Sequence, residues 1–392
     1  MAGKKRRIET RIAHGGSHPE KFQGAMNPPV YRASTVVFPT VAAMKDAAKN
    51  RFDTVYYGRH GTPTSMALEE AMAEIEGGYR SVAVCSGLAA ITVALMAFTK
   101  AGDHVLMADT VYDPTRRLAQ FMAERGVETT FFDPLVGANI AKLMKPNTTV
   151  VFTESPGSLT FEVQDVPAIA KAAHAGGAKV LLDNTWAGGL FFKPFEHGVD
   201  VSIQAATKYI AGHADVMIGL ITANSEDDWR QIKTTSAVLG YCAGPDECYL
   251  ALRGLKTLDV RLERHQESGL MVANWLAKRP EVMTVLHPAL PSCPGHDIWK
   301  RDFSGASGLF SIILKDVPMT KVEAMLDHME IFAMGFSWGG FESLIIPANP
   351  ASIRTATKWQ AAGPLLRLHV GQEDPDDLIA DLEAGFDHLR AA

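Results

Sequence analysis

Short apolar runs recur through the middle of the chain: SVAVC at 81–85, HVLMA at 104–108, TTFF at 129–132, TVVFT at 149–153, KVLLD at 179–183, VSIQ at 201–204 and MIGLIT at 217–222. Between them lie helix-like stretches such as DPTRRLAQFMAERG and VPAIAKAAHAGG. Uninterrupted apolar strands spaced by helices predict an α/β domain with a mostly parallel, seven-stranded sheet buried on both faces. That domain is expected over 61–253. Its first helix is bounded by legible signals, with Thr62 as N-cap, Pro63 as the first helical residue and Gly77-Gly78 as the stop. The run ECYLALRGLKTLDVRLERHQESGLMVANWLAKRP predicts one long helical stretch ending at Pro280. Beyond it, strands GLFSIIL and LLRLHVG and helices MTKVEAMLDHM and PDDLIADLEAGFDHL suit a smaller α+β domain over 254–392. Residues 1–60, rich in proline and small residues, read as an irregular, extended segment.

Composition narrows the functional class. The chain of 392 residues carries 38 Lys and Arg against 44 Asp and Glu, a formal charge of −6, so bulk electrostatics offers nothing to a nucleic acid. The basic KKRR at 4–7 is followed by no apolar segment and reads as a solvated tail rather than a secretory signal. Four cysteines (Cys85, Cys242, Cys248, Cys293) form no CxxC pair, which predicts free, mostly buried thiols in a reducing compartment, the cytoplasm. The histidines contain no HExxH, and no metal is expected. Residues 81–99 lack any charge and approach the length of a membrane span, but Ser86-Gly87 interrupts them. A buried strand, a tight turn and a buried helix account for them, and no membrane is implied.

Candidate chemistry falls at the carboxyl ends of the predicted strands, where ligands bind in open α/β sheets. Asp183 closes KVLLD, Lys208 follows VSIQ, Ser86-Gly87 links a strand to a helix, and Tyr112 follows HVLMADTV. Each has an ordinary reading alone: a cap or ion pair, a surface charge, a plain turn, a packing ring. Together they match the needs of pyridoxal phosphate (PLP). A phosphate suits the helix N-terminus at Ser86, Gly87 and Leu88. A pyridinium nitrogen needs a carboxylate such as Asp183, and the aldehyde needs a primary amine such as Lys208. Tyr112 offers a ring to stack on, and Thr207 a further hydroxyl.

The segment LLDNTWAGGLFF, continued by HGVDVSIQAATKYIAGHADVMIG, resembles the signature of the Cys/Met-metabolism family of PLP enzymes, with the fold type I architecture. The resemblance runs from TRIAHGG to LLRLHVGQEDPDDLIADL. It implies that Lys208 is the cofactor-binding and catalytic lysine. VYYGRHGT resembles the family loop that reaches a neighbouring subunit's cofactor phosphate, which assigns Tyr57 and Arg59 to that role. It also implies a homodimer at least and a homotetramer as a dimer of dimers, with the 1–60 segment contacting the neighbour. LLRLHVGQED implies Arg367 as the substrate-carboxylate arginine, shared with Ser337. Ala205 stands where many members carry serine, which removes one phosphate hydroxyl. His369 and His213 read as structural, and His60 is unassigned.

Within GFSWGGFESL, Trp338 resembles the bacterial β-eliminating branch, since γ-specific branches commonly place a small aliphatic residue there. The activity implied is carbon–sulfur bond cleavage, with L-cystathionine and water giving homocysteine, pyruvate and ammonia in methionine synthesis. Lys208 would take the α-proton and Tyr112 assist proton transfer. The other readings are a broader cysteine-S-conjugate β-lyase, a γ-lyase, and a catalytically silent binding or assembly protein on the same fold. Phe336 replaces a tyrosine expected in some β-lyases.

Overall fold

In a computed structural model, which describes residues 6–391, the seven apolar runs form strands β1 (Arg80–Val84), β2 (His104–Ala108), β3 (Glu128–Phe132), β4 (Thr148–Glu154), β5 (Lys179–Asp183), β6 (Val201–Gln204) and β7 (Gly219–Ala223). They build one sheet in the order β1-β7-β6-β5-β4-β2-β3. β7 runs antiparallel to both β1 and β6, and the remaining pairs are parallel. Helices cover the sheet, so β2, β5, β6 and β7 are buried almost throughout, as continuous apolar strands require. Residues 81–99 become β1, a turn and the helix Gly87–Phe98. Among the described residues no helix is long and apolar enough to cross a membrane.

The smaller unit is a four-stranded antiparallel sheet of β8 (Val282–Leu286), β9 (Leu309–Leu314), β10 (Leu344–Ala348) and β11 (Leu365–His369), in the order β10-β11-β9-β8. The helices Met319–Leu326 and Pro375–Ala391 lie in the same part of the chain. Its core holds Phe310, Ile312, Leu368, Leu382 and Phe386, none of them exposed.

Three expectations need correction. The helical run from 247 is two helices, Pro245–Leu255 and Leu258–Leu276. Buried Arg261 braces the break by donating to Gly254 O (2.7 Å), which also accepts the Thr257 N–H (3.1 Å), and to Thr257 Oγ1 (3.2 Å). The same guanidinium donates to Tyr209 O (2.7 Å), which ties the break to the segment beside Lys208. Residues 6–60 are not wholly irregular either. They include the helix Ile8–His14, with Ile12 fully buried, and the exposed helix Val41–Lys49, whose Thr40 side chain caps Ala43 N. Of the thiols, Cys248 and Cys293 are buried but Cys85 and Cys242 are exposed. Lys4 and Lys5 of the basic tail lie outside the described residues.

The β10–β11 connection is clamped onto the large sheet by a carboxylate. Asp109, just after β2 and 0% exposed, accepts the backbone N–H groups of Thr355 (3.0 Å), Ala356 (3.0 Å) and Thr357 (2.8 Å), and the Thr357 hydroxyl (2.9 Å). Arg116, 6% exposed, completes the cluster at 3.0 Å and donates to Thr355 Oγ1 at 2.9 Å. Nearby, buried Arg354 pairs with Glu162 at 2.5 Å.

Candidate active site

The carboxyl ends of β4 and β5 place two carboxylates side by side, because Glu154 and Asp183 are partners in the parallel register. Asp183 Oδ1 accepts both the Thr185 N–H (3.0 Å) and the Thr185 hydroxyl (2.5 Å). Burial raises its pKa above the ordinary value, while those two bonds and the charge on Lys208 act the other way. Both of these bonds go to Oδ1, so Oδ2 could accept a cationic ring N–H. Glu154 is pushed well up by burial and by Asp183, and it accepts the Tyr112 N–H at 2.7 Å. Sequence reasoning did not single out Glu154; the signal available was a carboxylate closing a parallel strand.

Lys208 follows β6 in a turn whose N–H bonds to Ala205 O at 2.9 Å. Its Nζ donates to Ser337 Oγ at 2.5 Å and lies 5.2 Å from the centroid of the Trp338 ring. Burial, followed by the positive charge of Arg367, draws the lysine pKa down to about 8, with Asp183 opposing. The Arg367 guanidinium donates to Ser337 O at 3.0 Å. Its Nε is buried without a hydrogen-bond partner, and burial lowers its pKa to about 10. Such a group suits an incoming carboxylate.

The turn carrying Ser337 and Trp338 is pressed against the lysine. Ser337 has φ of 78° and Gly339 of 88°, in the left-handed region that non-glycine residues avoid. A Cβ on Gly339 would sit 2.9 Å from the Lys208 carbonyl carbon, so only glycine allows this approach. Trp338 packs on Tyr209 with ring centroids 5.4 Å apart. Phe336, by contrast, is 92% exposed.

Ser86 caps the helix Gly87–Phe98, its Oγ accepting the Ala89 N–H at 3.0 Å. That leaves the hydroxyl proton free to donate, beside the amides of Gly87 and Leu88 that a first turn leaves without helical acceptors. A Cβ on Gly87 would lie 2.6 Å from the Ala205 methyl, so this terminus and the Lys208 loop abut. The Thr207 hydroxyl is engaged with Ile218, donating to its O (3.1 Å) and accepting from its N–H (2.9 Å). Tyr112 stands at the N-cap position of the helix Asp113–Ala123 and is 47% exposed. Its hydroxyl pKa is raised, chiefly by burial and Glu154, with Arg367 opposing.

The structure thus brings Lys208, Asp183, Tyr112, Ser337, Trp338 and Arg367 together, with Ser86, Gly87 and Leu88 adjoining through Ala205. Tyr57, at the N-cap of the short helical turn Gly58–His60, and Arg59, within it, stand apart from this group. Tyr57 is exposed, and Arg59 donates to Ala237 O at 2.5 Å. The donor set fits a phosphorylated pyridine aldehyde: an amine of depressed pKa, a buried carboxylate with one free oxygen, and a helix N-terminus with no side chain in the way. Among the described residues no cluster of three or more His, Cys, Asp or Glu could hold a metal ion.

The chain is 50% identical over 384 residues to a putative cystathionine β-lyase of Rhizobium johnstonii, covering 97% of this chain and 96% of the relative. It is 47% identical over 394 residues to the cystathionine β-lyase of Escherichia coli, with 98% and 99% covered. The crystal structure of metB from Corynebacterium glutamicum superposes with a TM-score of 0.90 at 30% identity, covering 98% of this chain and 99% of that one. Residues 9–387 match the family model described as Cys/Met metabolism PLP-dependent enzyme, and the chain belongs to that family.

Proposed function

We propose that the chain is a carbon–sulfur lyase that converts L-cystathionine and water into homocysteine, pyruvate and ammonia. The observation that carries this reading is the Lys208 amine, drawn down to about 8 and set between Ser337, Arg367 and Asp183. The substrate rests on the relatives named cystathionine β-lyase at 47% and 50% identity and on the indole beside that amine.

Lys208 would hold the cofactor's aldehyde carbon and Asp183 its ring nitrogen. Tyr112 would stack on the ring, and Ser86, Gly87 and Leu88 would hold the phosphate; Thr207, expected to add a hydroxyl there, has its proton already given to Ile218 O. Bound pyridoxal phosphate supplies the electron sink that stabilises negative charge at the substrate α-carbon. Arg367 and Ser337 bind the α-carboxylate and fix the α-carbon next to Nζ. A pKa near 8 leaves a useful fraction of Lys208 neutral at physiological pH, and a neutral amine can take the α-proton. The Cβ–S bond then breaks, and the sulfur leaves with a proton that Lys208 or Tyr112 can provide. Burial keeps the Tyr112 hydroxyl protonated for such a role.

Because Tyr57 and Arg59 stand apart from the Lys208 group within a chain, they serve best at a neighbour's cofactor phosphate. This makes the working unit a dimer at least, and a tetramer when two dimers pair. The cytoplasm is the compartment that the free thiols and the biosynthetic reaction suit.

The test is to incubate the purified, cofactor-loaded protein with L-cystathionine and identify the keto acid and thiol. Pyruvate with homocysteine supports the reading. 2-Oxobutyrate with cysteine would move the reaction to γ-elimination and overturn the weight placed on Trp338. Pyruvate from other cysteine S-conjugates alone would overturn cystathionine as the substrate.

A further inference from the structure

His369 belongs to the set of residues that the sequence marks as structural, yet its contacts lead to the active-site turn. It closes β11, paired with Leu344 of β10 on one side and Leu309 of β9 on the other, so its backbone is fixed from both edges. Two residues earlier stands Arg367, and side chains at i and i+2 share one face of a strand. Both reach the turn at 337–340. Arg367 donates to Ser337 O at 3.0 Å, while the His369 ring takes the other end. Its Nε2 lies 3.1 Å from the Gly339 N–H and 3.2 Å from Gly340 O. With the proton on Nδ1, Nε2 accepts from Gly339; with the proton on Nε2, it donates to Gly340. Either tautomer ties the ring to the same turn.

We propose that His369 is a positioning residue that fixes Ser337 and Trp338 against Lys208, and through them the site's preference for a long sulfur side chain. The inference rests on the reading of Lys208, Ser337 and Arg367 as the active site. The turn needs such a hold because two of its residues occupy the left-handed region and nothing in their own backbone preferences keeps Ser337 there. His369 is 0% exposed and packs 5.2 Å from His265 and 5.9 Å from Tyr209, centroid to centroid. Burial, with the neighbouring His265, keeps the ring neutral, so Nε2 can accept from the Gly339 amide when the proton is on Nδ1. Freeing that amide lets the Trp338 indole drift from its place near Nζ. A substrate that extends past its sulfur meets the indole; one that ends in a methyl group does not.

The experiment compares His369→Phe, which keeps a ring of similar size, with His369→Gln, which keeps an acceptor and a donor. Three quantities are read on the cofactor-loaded enzymes: hydrogen exchange of the peptide at 335–341, cofactor content, and kcat/KM for L-cystathionine and S-methyl-L-cysteine. The expected result for His369→Phe is full cofactor content and exchange at the turn at least tenfold faster. Its kcat/KM should fall at least tenfold for L-cystathionine, mainly through KM, and less than threefold for S-methyl-L-cysteine. His369→Gln should recover most of each change. The proposal is overturned if His369→Phe leaves exchange and the substrate ratio unchanged, or if both variants lose cofactor and both activities alike. If the wild-type protein turns over neither substrate, the lyase reading fails instead, and the exchange comparison still supports or overturns the hold on the turn.

Discussion

Replacing Asp109 with alanine removes the group that clamps the β10–β11 connection to the large sheet. Three backbone amides and two hydroxyls lose their acceptor, and Arg116 loses its counter-ion. Hydrogen bonds to a charged group contribute roughly 1.5–3 kcal/mol each, but they do not add here, because the freed amides can turn to water. The term that persists is Arg116, left charged with its side chain only 7% exposed, and breaking one side of a buried pair costs about 3–5 kcal/mol. At ~1.4 kcal/mol per factor of ten, local opening of 350–361 should become roughly a hundredfold to several thousandfold more frequent. Hydrogen exchange over that segment reads the change directly, without requiring a chain of this size to unfold in one step. The pH dependence has a definite sign. Burial raises the Asp109 carboxyl, but the bonds from Thr355, Thr357 and Arg116 outweigh it and hold the pKa below its ordinary 3.8. Its stabilisation is therefore complete above about pH 5 and is lost only as acid protonates the folded-state carboxyl. Exchange in the alanine variant within about threefold of wild type at neutral pH, under ~0.7 kcal/mol, would refute the clamp.

Three further outcomes test the site. Covalent uptake of pyridoxal phosphate by cofactor-free protein should accelerate as pH rises through about 8, where Lys208 loses its proton. Arg367→Met removes a positive neighbour and should move that midpoint upward; an unmoved midpoint contradicts the assigned cause. Mixing inactive Arg59→Ala and Lys208→Ala chains by unfolding and refolding should restore roughly a quarter of wild-type activity, because half of random dimers contain one intact site. No restoration would place Arg59 in its own chain's site. Trp338→Leu should lower kcat/KM for L-cystathionine by roughly ten- to a hundredfold, the range of one large apolar contact, and raise the 2-oxobutyrate fraction. An unchanged product ratio removes Trp338 from the choice of reaction.

The strands and the helix bounded by Thr62 and Gly77 were legible because each is specified locally, by an apolar run or by cap chemistry. So were the positions of Asp183 and Lys208, since strand ends fall where apolar runs stop. The break at 256–257 was not legible: Lys and Thr are tolerated in helices, and the Arg261 contacts to Gly254 O and Tyr209 O that brace it exist only in the folded chain. Glu154 escaped notice because its partner is a neighbour in register, not in sequence. The Asp109 cluster joins residues about 246 apart, and no local pattern announces a contact of that span. His369 illustrates the same limit from the other side. A histidine in an apolar strand reads as core, and only the folded turn shows what its second nitrogen reaches.

Lys208 follows a strand of the large sheet and Ser337 lies in the turn before β10 of the small one, so their hydrogen bond joins the two units at the point where substrate would lie. An amino acid seated between Arg367 and Lys208 would therefore act as a rivet as well as a reactant. At a hundred times its dissociation constant a ligand adds about 2.7 kcal/mol to whatever equilibrium requires the bound form. Here the bound form is the one that keeps the Ser337 turn against Lys208. Occupancy would hold that turn in place and each product release would free it, so the time a carboxylate stays bound sets how long the turn stays ordered.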